Sequence, residues 1–197
     1  MEFIKNNTDI YSKANKVSIK IIENKGRDIL PFLIQMGEVI NKYKYLCHIH
    51  TKKTLIPNIG IRWRNYLLNN LLGTTELISE ILIDFEKNDK LGFIFPENFY
   101  KILKLTMYVE PKTKERMKYL FAKLLPGYEC PSGYFDFPGG DMFWARTKAI
   151  NNIFKIDLRN DIPGEEWPKD ILYAIERSWL FIVKKNGFYY KKYFNYK

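Results

Sequence analysis

The residues most able to do chemistry begin at His48-Ile49-His50-Thr51-Lys52-Lys53, which holds the only two histidines of the 197-residue chain. At spacing i, i+2 on an extended segment, both imidazoles point to one face, where they can ligate a metal or hydrogen-bond a phosphate. Two nitrogens leave a metal site incomplete. With no acidic residue in the segment, Lys52 and Lys53 favour an anion, because two cations repel a metal ion. A structural role is the alternative for each. Upstream, Asn24-Lys25-Gly26-Arg27-Asp28 forms a second polar cluster. Gly26 permits close backbone approach, and Arg27 offers a two-pronged donor for phosphate. Asp28 can accept from ribose hydroxyls or cap a following helix.

Further along, Phe137-Pro138-Gly139-Gly140-Asp141-Met142-Phe143-Trp144-Ala145-Arg146 concentrates glycines and aromatics around one acid. It reads as a binding wall for a sugar. Trp144 can stack on an apolar CH face while Asp141 accepts from hydroxyl edges, with Gly140, Met142, Phe143 and Arg146 beside them. An aromatic core hairpin is the plainer reading. Glu165, Glu166 and Asp170 lie at a loop-to-helix entry, where carboxylates can act as general bases if a cleft desolvates them, or can complement the helix dipole. Glu176 and Arg177, deeper in the same helix, fit an ion pair to neighbouring elements better than catalysis.

The elements that must position these groups follow from periodicity. Val17 to Ile22 reads as a buried strand ending at Glu23, followed by a helix carrying Leu30, Leu33, Ile34 and Ile40, with Pro31 in its first turn. Tyr43 to Ile49 reads as a second strand. Trp63, Tyr66, Leu67 and Leu71 follow helical spacing up to Gly73, and Thr74 or Thr75 can cap the next helix, with Leu77, Ile78, Ile81, Leu82 and Phe85 inward. Leu91 to Phe95, stopped by Pro96, fits a central parallel strand covered on both faces. Met117, Leu120, Phe121 and Leu124 mark a helix. Residues 126–140, with three prolines and four glycines, read as loop or short irregular strand. A short helix runs from Thr147 to about Phe154, and a longer one, with Ile171, Ile175, Trp179 and Ile182 inward, ends at Gly187. The alternation specifies a single α/β domain over 1–197, a three-layer sandwich with a mainly parallel sheet. In such a sheet ligands sit beyond the carboxyl ends of the strands, so the Asn24–Asp28 and His48–Lys53 clusters face one crevice.

Composition limits the classes. With 46% hydrophobic residues the chain can bury a full core, so neither disorder nor a stapled mini-protein fits. Two unpaired-looking cysteines, Cys47 and Cys130, suggest a reducing compartment and form no zinc framework. No apolar run approaches the roughly 20 residues of a spanning helix, and Met1 to Ile10 has no signal-peptide core. The expected location is cytoplasmic, with peripheral contact at a membrane surface allowed. The net charge of +10 attracts anions of several kinds: nucleic acid, anionic membranes or the diphosphate of a nucleotide sugar. No nucleic-acid-binding motif accompanies it, so no nucleic-acid partner is expected.

In order, Asn24-Lys25-Gly26-Arg27-Asp28-Ile29-Leu30-Pro31-Phe32, the strand ending His50-Thr51-Lys52-Lys53, Leu91 to Pro96 and Phe137 to Arg146 resemble the rhamnan synthesis protein F family over about residues 17–186. That pattern runs approximately Asn-Arg-Gly-Arg-Asp, Leu-His-Thr-Lys-Lys-Ser, then Phe-Pro-Ala-Gly-x-Met-Phe-Trp-Ala-Arg. Here Lys25 stands for Arg, Gly139 for Ala, and Tyr173 for a His in the late helix, which keeps Ala174, Glu176 and Arg177.

The resemblance implies a glycosyltransferase of the A-type fold. It would move a deoxysugar such as rhamnose from a nucleotide-sugar donor to a polysaccharide or lipid-linked saccharide acceptor, with inversion. Asn24, Gly26, Arg27, Asp28, His48, His50, Thr51, Lys52 and Lys53 would then face the nucleotide and its phosphates. Gly140 to Arg146 would shape the acceptor side, and Glu165, Glu166 or Asp170 would be the base. Cations at the second strand end would take over the task of a metal, so no cofactor is required, although a divalent Mn or Mg ion is compatible. A-type domains usually carry a strand, a helix and a second strand before the first motif, and about 23 residues precede it here. The expectation is therefore a domain truncated at its amino terminus, which a partner chain could complete. The alternative function is a non-catalytic saccharide- or nucleotide-binding module.

Overall fold

Four short strands and six α-helices account for most of the regular structure in a computed structural model that describes residues 16–22, 26–51, 59–103, 108–155 and 169–194. In chain order they are α1 (Ile29–Gly37), β1 (Tyr45–His48), α2 (Gly60–Leu72), α3 (Thr75–Lys87), β2 (Leu91–Pro96), α4 (Pro111–Leu124), β3 (Phe143–Arg146), α5 (Thr147–Ile150), α6 (Lys169–Lys185) and β4 (Tyr189–Tyr193).

Local rules explain the boundaries. At the α2–α3 junction Thr74 leaves helical geometry and its hydroxyl accepts from the Leu77 amide at 3.2 Å, so α3 begins with a side-chain cap. Pro111 opens α4, where its missing N–H costs nothing. Beyond α6 the chain reverses through Gly187 at φ 81°, a left-handed conformation that glycine takes without a Cβ clash.

The strand order is β1-β3-β2-β4. β3 runs antiparallel to both β1 and β2, and only β2 and β4 pair in parallel. The sheet is therefore mixed, which corrects the expectation of a mainly parallel one. The aromatic segment expected to wall a binding site supplies an internal strand, and Tyr189–Tyr193, absent from the expected elements, closes the other edge. A second correction concerns residues 17–22. They form no strand, and Val17, Ile19 and Ile21 are exposed. Period-2 alternation favours extended backbone and names no partner for it.

Alternation along the strands decides which helices cover each face. Leu46, Phe93, Phe95, Phe143 and Ala145 pack with α1, α4, α5 and α6, around the fully buried Trp179, Ile175 and Ile182. Ile94 and the partly buried Tyr45, Trp144 and Tyr193 meet Leu77, Ile81 and Phe85 of α3, while Leu67 and Leu71 of α2 pack with Met142 and Trp144. Helices thus lie on both sides, and the three-layer expectation holds. Each large apolar side chain so buried contributes about 1.5–3 kcal/mol. Leu91 sits on the same face as Ile94, and the register irregularity between Leu91 and Phe93 accounts for the switch.

Antiparallel β3 has one consequence for function. Its pairing sets His48, the last residue of β1, opposite Phe143, the first of β3. The loop entering β3 therefore lies at the carboxyl ends of β1 and β2, where ligands gather in α/β folds.

Candidate functional site

The loop Phe137–Asp141 is held from several directions. Asn98, just beyond β2, donates to the Phe137 carbonyl at 3.2 Å and accepts from the Gly139 amide at 3.0 Å. Glu176 Oε1, on α6, accepts from the Gly140 amide at 2.7 Å. One turn on, Trp179 Nε1 donates to Asp141 Oδ1 at 2.7 Å, with both side chains buried. Beyond β1, His50 Nε2 lies 2.9 Å from the Gly140 carbonyl, and because a carbonyl only accepts, Nε2 carries the hydrogen.

His50 also reaches the first motif, its Nε2 standing 3.4 Å from Asp28 Oδ2. Asp28 itself does not cap α1, since its backbone is already helical and its side chain makes no capping bond. Of the two uses open to Asp28 in the sequence, capping is thus absent. Arg27 is exposed and turns onto α6, donating to the Tyr173 hydroxyl at 3.3 Å with its guanidinium 5.4 Å from that ring. Arg177 lies over Phe137, 4.6 Å from the ring centroid, and 3.4 Å from Glu176 Oε2.

The backbone is unusual at both motifs. Gly26 and Arg27 are left-handed in succession (φ 68° and 53°), as are Gly140 and Asp141 (φ 98° and 55°). A side chain at Gly26 would put its Cβ 2.2 Å from Leu30 Cβ, so only glycine fits. For Arg27 and Asp141 the conformation costs about 1–2 kcal/mol each, sustained by the surrounding bonds.

His48 is the most buried ionisable group of the cluster apart from Asp141, at 7% exposure. Its ring packs 4.2 Å from Phe32 and 5.2 Å from Phe143. Burial, reinforced by neighbouring His50, outweighs the opposing pull of Asp28 and the Asp141 main chain and pushes its pKa down to about 4. At neutral pH it is an uncharged ligand or hydrogen-bonding group and supplies no positive charge to a phosphate.

Of the residues singled out in the sequence, the structure brings together Gly26, Arg27, Asp28, His48, His50, Gly140 and Asp141. Thr51 follows, exposed. Asn24, Lys52, Lys53, Glu165 and Glu166 lie outside the described residues, and Asp170 is placed only as the second residue of α6. Met142, Phe143 and Arg146 are interior. Arg146 donates to the carbonyls of Phe85 (2.6 Å), Leu91 (3.2 Å) and Asn88 (3.3 Å), fastening the end of α3 to β2. The core reading accounts for these three. Trp144 keeps partial exposure, with its indole donating to the Leu71 carbonyl at 3.0 Å.

Asn98, Tyr173 and Trp179 are not among the site residues that the sequence singles out, and Glu176 reads there as an ion-pair residue. For Trp179 one signal existed: an indole N–H on a buried helix face needs an acceptor. Asn98 gave none.

Comparison with known proteins places nearly the whole chain in one family. The family model for rhamnan synthesis protein F matches residues 2–188. Two curated relatives, both named uncharacterized protein WxcX, come from Xanthomonas campestris pv. campestris, strains B100 and ATCC 33913. Each is 28% identical over 182 residues, covering 90% of this chain and 25% of the relative. The chain thus spans about a quarter of the length of these relatives. No solved structure matches it. Among the described residues no helix is long and apolar enough to cross a membrane.

Proposed function

The chain belongs to the rhamnan synthesis protein F family, and from that premise we propose that it acts in polysaccharide synthesis as a glycosyltransferase. In this reading it moves a deoxysugar such as rhamnose from a nucleotide-activated donor to a saccharide or lipid-linked saccharide acceptor. The observation that carries the reading is the convergence of three sequence-distant motifs, at Gly26–Asp28, His48–His50 and Gly140–Asp141, at the carboxyl ends of β1 and β2.

The chemistry follows from these groups. The donor's diphosphate lies against Arg27, His50 and the Thr51-Lys52-Lys53 segment. Fixed donors there stabilise the charge that develops on the leaving group, an effect often worth several kcal/mol. The acceptor oxygen attacks the anomeric carbon, the bond from that carbon to the phosphate oxygen breaks, and the nucleoside diphosphate leaves with the bonding electrons. A carboxylate on the opposite side takes the acceptor proton, and Glu165, Glu166 and Asp170 are the candidates. Trp144, a partly exposed residue of the internal strand β3, is the aromatic surface offered to the acceptor.

Release of nucleoside diphosphate from a panel of nucleotide sugars, with and without saccharide acceptors, tests this. Turnover that falls at least roughly tenfold in Arg27→Ala is expected, the scale of one lost charged contact to a leaving group. Nucleotide binding without turnover would instead establish the binding-module function, and neither binding nor turnover would refute both.

A further inference from the structure

The geometry points to a site for one first-row transition dication, formed by Asp28, His48 and Asp141, with His50 beside Asp28. One ligand atom from each of the three lies within 4.8 Å of the others. Two ligands about 2.1 Å from one ion stand at most about 4.2 Å apart, so a shift of well under 1 Å at each side chain brings all three into coordination.

Three features favour a cation here. First, His48 Nδ1 is buried without a hydrogen-bond partner of normal geometry and faces Asp141 Oδ2 at 3.8 Å. A buried ring nitrogen of this kind is costly unless something occupies it. Second, the carboxylates of Asp28, just before α1, and of Asp141, in the β3 entry loop, meet one imidazole. These are the acidic neighbours that the His48–Lys53 segment lacks in sequence, and the fold supplies them from residues 28 and 141. Third, Asp141 is oriented by an outer donor, Trp179 on Oδ1 at 2.7 Å, and Asp28 Oδ2 has His50 Nε2 beside it at 3.4 Å. Such outer partners hold metal ligands in register.

The donor set selects the ion. One imidazole with two carboxylates suits Zn²⁺, Mn²⁺ or Fe²⁺, whereas Mg²⁺ and Ca²⁺ prefer all-oxygen shells. Three protein ligands leave positions open for water. Arg27, the described cation nearest in sequence, is turned onto Tyr173. The site stands independently of the glycosyl-transfer reading, because occupancy is measured without any sugar or nucleotide.

Co²⁺ titration of the chelator-treated full chain, followed by visible absorption, is the test, with Zn²⁺ competition and Mg²⁺ as comparison. One Co²⁺ per chain with a ligand-field band, displaced by Zn²⁺ and not by equimolar Mg²⁺, is expected. Asp28→Asn and Asp141→Asn should each weaken binding at least tenfold, and His50→Gln, which removes an outer partner, by roughly 10–100-fold. Asp28 is partly exposed, so its variant separates loss of metal from loss of fold, with circular dichroism as the check. No band in the wild type, wild-type affinity in both Asn variants, or displacement by equimolar Mg²⁺ would overturn the assignment.

Discussion

Asn98 and Gly139 form a pair whose coupling can be worked out before measurement. Asn98→Ala removes two buried hydrogen bonds, to the Phe137 carbonyl and from the Gly139 amide. At about 1 kcal/mol net each, plus a share of desolvation for the abandoned carbonyl, the cost is about 2–3 kcal/mol. For a chain of this length that lowers Tm by roughly 4–12 °C. Gly139→Ala should cost nearly as much through the same bonds, because its Cβ would stand 2.5 Å from Asn98 Oδ1 and 3.3 Å from Asn98 Cγ, pushing the amide out. The backbone itself raises no objection, as Gly139 is not among the left-handed glycines. With Asn98 shortened, the new methyl keeps only an ordinary 3.5 Å contact with Ile102 Cδ1. The double variant should then be no less stable than Asn98→Ala alone, giving a coupling of about 2–3 kcal/mol in urea unfolding. Additive costs, or a neutral Gly139→Ala, would refute the clamp. The rhamnan synthesis protein F pattern carries Ala where this chain has Gly139, so the cycle also asks whether Asn98 is what makes glycine necessary here.

Arg146→Lys should destabilise the fold by about 2–4 kcal/mol in the same assay, since lysine cannot reproduce the fork to Phe85, Asn88 and Leu91, while nucleotide affinity stays unchanged. A large loss of saccharide or nucleotide binding without loss of stability would return Arg146 to the site. Burial pushes the Cys47 thiol up to about 12; it also raises that of Cys130, where the charges of Lys114 and Lys118 oppose the shift. Iodoacetamide near pH 8.5 should therefore label Cys130 first and Cys47 only on unfolding, as mass spectrometry of the peptides would read out. Equal labelling rates would contradict the burial of β1.

Much of the architecture is legible in single segments. The α2–α3 break at Gly73-Thr74, the all-apolar β2 and the inward stripe of α6 each follow from local periodicity and capping, and the structure places them as expected. β3 was legible as an aromatic segment but not as a strand between β1 and β2, because pairing partners are fixed by the register of distant segments and not by composition. The same limit applies to the site. Local reading identifies His48, His50, Arg27 and Asp28, yet the meeting of His48 with Asp141 depends on His48 pairing opposite Phe143, a fact of sheet topology. The left-handed Gly140-Asp141 turn and the Trp179 bond to Asp141 belong to that long-range class as well.

The most direct test of a nucleotide-sugar site at the converged motifs is ¹H–¹⁵N NMR of the intact chain titrated with nucleoside diphosphates. Saturable shifts at the amides of Gly26, Arg27, Asp28, His50, Thr51 and Gly140, reduced by Arg27→Ala, are the expected result. Shifts confined to other surfaces, or binding to any polyanion governed by salt alone, would contradict it.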